Sequence, residues 1–297
     1  MVEQHLHIIS FDVPAPPDYG GVIDVYYKAK ALAEVGAKVH LHCFEYGRGR
    51  AKELERFCAS VHYYPRHMGK HQLLNSLPYV VVSRRSDVLM GRLLKDDHPI
   101  LYEGLHSCHS LGDPRLNGRR RLVRAHNVEH DYYTALAKAE GNAFRRTYFL
   151  NEARKLLRFE PVLSEADHVL AISPKDQTYF AGHFKHVSHI PAFHACDRVE
   201  VQDGISDFAF YHGALGVAEN DQAALFLVQK VFKGLPVKLV IAGSNASREL
   251  KREVAHAPNV ELREDVGTAK IHKLVRAAQV NVLPTFQSTG IKLKLLL

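Results

Sequence analysis

Short, nearly continuous apolar runs recur at Leu6 to Phe11, Val39 to Phe44, Val61 to Tyr64, Ile100 to Tyr102, Leu122 to Ala125, His168 to Ile172 and Val187 to Ile190. Stretches with helical spacing lie between most of them. Such alternation predicts a parallel sheet covered on both faces, because a strand buried on two sides needs apolar residues at every position. The first helical pattern starts near Val22, runs through Tyr26, Ala29, Leu32 and Ala33, and ends at Gly36. The longest, Phe144 to Ala166, puts Tyr148, Phe149, Ala153, Leu156 and Leu157 on one side. Pro161 should kink or divide it, since proline lacks a backbone donor and clashes with the preceding turn.

Between Pro191 and Ser206 the pattern lapses, and a second series then begins. Its strands are expected at Phe208 to Tyr211, Val237 to Ala242, Val260 to Leu262 and Val280 to Leu283. Its helices are expected at Asp221 to Phe232, Ser247 to His256 and Ala269 to Ala278, with another starting near Gly290. The fold class this predicts is α/β: two doubly wound, Rossmann-like domains facing across a cleft, with ligands at the carboxyl ends of the strands. The expected boundaries are 1–195 for the first domain, 196–206 for a linker and 207–297 for the second. A doubly wound domain usually runs through more strand-helix units, so the second is expected to be incomplete and the protein C-terminally truncated.

Composition narrows the class. With 46% hydrophobic and 24% charged residues the chain reads as an ordinary soluble globular protein. No apolar run approaches the ~20 residues of a membrane-spanning helix, and no secretory signal pattern opens the chain. Four cysteines without CxxC spacing point to reduced thiols in a cytoplasm. A net charge of +7 with 20 histidines favours an anionic partner: a nucleotide, nucleic acid or phospholipid surface. Basic residues gather at Arg115, Arg119, Arg120, Arg121 and Arg124, with pairs at Arg84-Arg85 and Arg145-Arg146. They are read first as a solvated face, because no aromatic platform or nucleic-acid motif accompanies them. No nucleic-acid partner is therefore expected.

Candidate chemistry sits at strand ends. Asp18-Tyr19-Gly20-Gly21 lies between the first strand and the first helix, where glycines permit close backbone approach and helix N–H groups favour an anion. On this signal alone the plainer reading, a turn needing positive φ, is preferred. His126 follows the strand Leu122 to Ala125, a ligand-facing position in an open sheet, although a histidine satisfied by backbone partners would also fit there. Asn127, Glu129 and His130 add polar groups beside it. His126 to His130 spells HxxEH, the inverted zinc peptidase pattern, but that chemistry needs both histidines on one helix face, and His126 ends a strand. His106-Ser107-Cys108-His109 matches no common zinc spacing and reads as a loop, with His106 a candidate acceptor contact at the cleft rim. In the second series Gly213 and Gly243-Ser244 follow strands. The stretch Pro284 to Lys294 then runs from a strand into a helix start, offering N–H groups, hydroxyls and the lysines Lys292 and Lys294 to a diphosphate, although a polar loop and a surface helix with two solvated lysines would read the same way.

The order of these features resembles the GT-B family 4 glycosyltransferases, often called the group 1 family. The resemblance spans essentially the whole chain. It rests on Asp18-Tyr19-Gly20-Gly21, the His126 strand end, Ser164 to Ser173 (SEADHVLAIS), Leu239 to Ser244 (LVIAGS), Asn259 to Leu262 and Gly290-x-Lys292-x-Lys294. It implies transfer of a sugar from a nucleotide-sugar donor to a saccharide or glycolipid acceptor, usually with retention of configuration, in cell-surface polysaccharide assembly. No cofactor and no catalytic metal are implied. Gly20 and Gly21 would approach the donor diphosphate, His126 would contact the donor sugar, and Lys292 and Lys294 would stabilise the departing nucleoside diphosphate. Gly213, Ser244, Val266, Thr289 and Gly290 would border the donor, and His106, Asn127 and Glu129 the acceptor side. Such a protein is expected in the cytoplasm or peripheral at the inner membrane face.

The chain departs from that family in two places. Many members carry Glu-x7-Glu at the last loop and helix, where this sequence has Thr289 and Leu297, or Gln287 and Leu295 in the alternative alignment. The usual Arg and Lys after the first strand of the second domain are replaced by His212-Gly213-Ala214-Leu215-Gly216. A non-catalytic nucleotide-binding or scaffold protein on the same fold is the competing expectation.

Overall fold

A computed structural model describes residues 4–196, 198, 204 and 206–286. These form two compact units that divide at Ala195 and Cys196. The first holds a parallel sheet of seven strands: β1 (His5–Ser10), β2 (Lys38–Glu45), β3 (Ser60–Pro65), β4 (Ile100–Glu103), β5 (Arg121–Ala125), β6 (His168–Ala171) and β7 (Val187–His189). Their order is β3-β2-β1-β4-β5-β6-β7, so the chain winds outward in both directions from the β1/β4 pair. The helices of this unit are α1 (Gly20–Glu34), α2 (Tyr79–Val82), α3 (Asp87–Leu93), α4 (Glu129–Ala139), α5 (Ala143–Phe159) and α6 (Pro174–Ala181).

Strand periodicity sorts the core. Ile9, Phe44, Tyr64, Tyr102, Val123 and Val169 pack on one sheet face against α3 and α5, while Ile8, Leu41, Cys43 and Leu101 pack on the other against Val25 and Ala29 of α1. Successive strand residues point to opposite faces, so both must be apolar when both faces are covered. Gly36 ends α1 at φ +94°, the left-handed conformation that glycine adopts without penalty. Pro161 acts as expected: α5 stops at Phe159, and a tighter 3-10 stretch, Glu160–Glu165, carries the chain on.

The second unit holds a parallel sheet of β8 (Phe208–His212), β9 (Lys238–Gly243), β10 (Val260–Glu264) and β11 (Val280–Asn281), in the order β10-β9-β8-β11. Between the strands run α7 (Ala218–Phe226), α8 (Arg248–Ala255) and α9 (Thr268–Ala277). The Ser247 side chain caps α8 by accepting from the Leu250 N–H at 3.0 Å. Among the described residues, all eleven strands fall where the apolar runs predicted them.

Candidate functional site

The two halves of the first sheet diverge beyond the carboxyl ends of β1 and β4, which is where an open α/β sheet offers a crevice. Phe11 follows β1, and its ring lies edge-on to His106 and His126, with centroids 5.9 and 5.6 Å away. Gly104 follows β4 at φ +71°, letting the chain turn sharply towards His106. Gly20 and Gly21 form the first turn of α1 itself, not a loop ahead of it. A Cβ on Gly21 would lie 2.6 Å from Phe11 Cζ, so the missing side chain makes room for this ring. The α1 N-terminus carries no side-chain cap and no acidic residue in its first turn, leaving N–H groups for an external acceptor.

Behind this surface lies a buried charge cluster. Asp24 and Lys28 stand one turn apart on α1, Glu103 ends β4, and Arg124 lies laterally paired to it on β5. Asp24, Glu103 and Arg124 are fully buried and Lys28 nearly so. The Lys28 ammonium bridges Asp24 Oδ2 and Glu103 Oε1, each at 2.8 Å. Arg124 grips the same Asp24 carboxylate bidentately through Nε and Nη2 at 3.0 Å each, and also donates to the Pro191 carbonyl. The Phe193 N–H adds a fourth bond to Asp24. Two cations thus balance two carboxylates, which is what makes burial tolerable.

His126 is the outlet of the cluster. Its Nε2 lies 2.9 Å from Glu103 Oε2. An ionised carboxylate can only accept, so Nε2 carries the proton and Nδ1 is left as an acceptor. Burial alone would raise the Asp24 and Glu103 carboxyls, but opposing charges outweigh it. Lys28 and Arg124 hold Asp24 far below the ordinary range, and Lys28 together with the hydrogen bond from His126 holds Glu103 below it. Asp24, Glu103 and His126 also stand close enough to ligate one ion. The Lys28 ammonium already supplies a cation between the two carboxylates.

Glu129 opens α4 and is turned inward: its Oε2 lies 3.3 Å from His106 Nε2. Burial would raise its carboxyl, yet His106, His126 and Asn127 together hold it below the usual range. It therefore orients His106, while His106, Asn127 and His126 are the partly exposed members of the group. His130 points elsewhere, to Tyr179 Oη at 2.9 Å, so the two histidines of HxxEH do not converge.

The solvated-face reading of the arginines needs correction. Arg115 and Arg120 are exposed, but Arg124 belongs to the buried cluster. Arg119 is also buried, with its guanidinium on Asp96 at 2.7 Å and on the carbonyls of His98 and Leu93. Packing pulled both inside because buried acceptors awaited them. Asp24, Lys28 and Glu103 were not singled out from sequence. The available signal was a charged i, i+4 pair among the apolar positions Val22, Val25 and Ala29.

In the second unit, Gly213, Ser244 and Val266 all follow strands at the carboxyl edge. A Cβ on Gly243 would fall 2.0 Å from the Gly213 carbonyl oxygen, so the two loops touch through main chain. Gly216 donates to the Ser244 carbonyl at 3.1 Å. Asn245 and Asp265, next to Ser244 and Val266, hold φ of +59° and +52°, strained for side-chain-bearing residues. The Val266 side chain packs against the cluster of Phe210, Val240, Ala242 and Leu274, leaving its main chain to the edge. Thr289, Gly290, Lys292 and Lys294 lie outside the described residues.

No family model matches the chain. An uncharacterized 44.6 kDa protein in the cps region of Klebsiella pneumoniae is 27% identical over 309 residues, covering 97% of this chain and 78% of that protein. A crystal structure of TarM aligns with a TM-score of 0.66 at 10% identity, over 98% of this chain and 81% of TarM. A variant of S. aureus TarM in complex with fondaparinux, alpha-GlcNAc-glycerol and UDP gives 0.60 at 9% identity, over 98% and 82%. Arabidopsis thaliana UGT89C1 complexed with UDP-L-rhamnose gives 0.52 at 12% identity, over 95% and 74%. The chain has the GT-B fold. Identities this low establish architecture, and the reaction has to be argued from residues.

Proposed function

We propose that the chain is a glycosyltransferase that moves a sugar from a nucleotide-sugar donor to a saccharide or glycolipid acceptor in polysaccharide assembly, with retention and without a metal in the transfer step. The observation that carries this reading is His126, held by a buried Glu103–Lys28–Asp24–Arg124 cluster at the sheet's switch point, beside an uncapped helix N-terminus. The likeness to proteins solved with UDP and UDP-L-rhamnose supports the choice of donor. A relative in a cps region supports the pathway.

In this reading His126 Nδ1 accepts from a donor-sugar hydroxyl, and Glu103 fixes the ring. A preorganised dipole of this kind needs no reorganisation as charge develops at the anomeric carbon. The N–H groups of Gly20 and Gly21 face the diphosphate, whose negative charge grows as the glycosidic bond breaks. The second unit supplies the nucleotide site through Gly213, Ser244, the main chain at Val266, Thr289 and Gly290, with Lys292 and Lys294 on the leaving group. His106 and Asn127 meet the acceptor, and Glu129 holds His106.

No described helix is long and apolar enough to cross a membrane. We place the protein in the cytoplasm, peripheral at the inner membrane face, through the outer side of α5. There Phe144 is 89% exposed and Leu150 and Leu157 are also exposed, among the solvent-facing Arg145, Arg146, Arg154 and Arg158. A basic amphipathic helix with exposed apolar side chains suits anionic lipid.

Incubating the full chain with UDP-sugars and GDP-sugars, with UDP and GDP binding followed by calorimetry, tests the proposal. Nucleotide release above the uncatalysed rate is expected with one donor. Tight nucleotide binding with no turnover on any donor would favour the scaffold alternative, which the absent Glu-x7-Glu carboxylates motivate.

A further inference from the structure

The opposite, amino edge of the first sheet carries a second concentration of chemistry that sugar transfer does not use. Six histidines gather there: His5 and His7 of β1, His40 and His42 of β2, His62 of β3, and His98 just before β4. Strand register puts them on one face, since His7 pairs with His40 and His42 with His62. They form two ranks.

The inner rank is a closed chain of hydrogen bonds. His7 Nε2 meets Asp96 Oδ1 at 3.0 Å, His7 Nδ1 meets His42 Nε2 at 2.8 Å, and His42 Nδ1 meets Tyr64 Oη at 2.7 Å. The carboxylate fixes every tautomer along it. His7 donates to Asp96, His42 donates to His7, and Tyr64 donates to His42. No ion is needed in this rank.

The outer rank is half-buried and has a third imidazole where the inner one has a carboxylate. His5 Nδ1 lies 2.9 Å from His40 Nε2, and the His98 ring lies against that of His5 with centroids 4.4 Å apart. One ring nitrogen from each of His5, His40 and His98 lies within 4.8 Å of the others. Zinc–imidazole bonds are about 2.0–2.1 Å, so neighbouring nitrogens in a tetrahedral site stand about 3.3 Å apart. Small ring movements therefore suffice to seat one ion. The surroundings suit ligation too. His40 Nδ1 bonds to Ser60 Oγ at 2.9 Å, which leaves Nε2 as the coordinating atom, and Asp97 Oδ1 stands 3.9 Å from His98 Nδ1.

We infer that His5, His40 and His98 form a zinc site, separate from the transfer site, with water as fourth ligand. Three imidazoles suit Zn²⁺ and exclude the oxygen-seeking Mg²⁺ and Ca²⁺. The ion would tie β1, β2 and the segment entering β4 together at the edge remote from His126, giving it a structural role.

The test uses the full chain, stripped with chelator and dialysed, then titrated with Zn²⁺ by calorimetry, with bound metal counted by elemental analysis. One Zn²⁺ per chain and a rise in Tm of the unaltered protein are expected. His98→Ala and His40→Gln, checked for folding by circular dichroism, should each weaken binding at least about tenfold, whereas His126→Ala should leave it intact. The inference is overturned if the unaltered chain takes up no zinc and its Tm stays fixed. It is equally overturned if uptake survives both ligand substitutions, or if it is lost with His126→Ala and kept with His98→Ala.

Discussion

Lys28 joins the two carboxylates behind His126, so its removal is instructive. Lys28→Met keeps the volume and takes away the charge, leaving the fully buried Asp24 and Glu103 with one cation fewer. Breaking a buried ion pair by deleting one partner costs about 3–5 kcal/mol, and urea unfolding should show a loss of that order. A loss under 1 kcal/mol would mean that solvent reaches the cluster. At this scale the sequence was legible where a residue ended a strand: His126 and Gly213 stand at the carboxyl edges where they were expected. It was silent on Asp24, Lys28 and Glu103, because charged letters read as solvated until tertiary packing brings opposite charges together from separate elements. Arg119 and Arg124 show the same effect from the other side, as a basic run in sequence that divides between surface and core.

Among the elements, α1 and α5 carry the account. The glycine pair was legible as a special position, but its reason was not: Phe11, nine or ten residues earlier, fills the space that a side chain on Gly21 would take. A contact of that kind exists only once β1 and α1 are packed. Helix α5 was legible in its break at Pro161 and in most of its apolar side, both local properties, but Leu157, read with Leu156, is 52% exposed while Glu152 and Lys155 are turned inward as an ion pair. Its exposed side makes a testable claim. Replacing Arg154 and Arg158 by Glu should lower binding to vesicles containing phosphatidylserine by about tenfold or more, at roughly 1 kcal/mol per basic residue near an anionic surface. Sedimentation with vesicles measures it. Unchanged binding would remove α5 from the membrane contact.

For the whole molecule, the order of apolar runs was enough to place two parallel sheets, because burial on both faces dictates that pattern whatever the loops do. The sheet orders, and hence the β1/β4 and β8/β11 switch points, became visible only in the folded chain. Acid sensitivity follows from the buried cluster. Glu103 has a folded-state value depressed below its unfolded one, so its contribution is present above the ordinary carboxylate range and is lost as pH falls through the lower, folded value. The stability difference between the unaltered protein and Glu103→Gln should therefore be full at pH 7 and shrink as pH drops below about 4. A pH-independent difference, followed by urea unfolding from pH 7 to pH 3, would show that Glu103 is not held ionised by its neighbours.

His126, set by Glu103, is proposed to assist sugar transfer. The most direct measurement is nucleotide release from the accepted nucleotide-sugar by the unaltered full chain and by His126→Ala, with unfolding curves to confirm that both are folded. Loss of one preorganised contact to the reacting sugar should lower kcat by about 100-fold or more, with nucleotide affinity unchanged. Equal turnover by the two folded proteins would contradict the account.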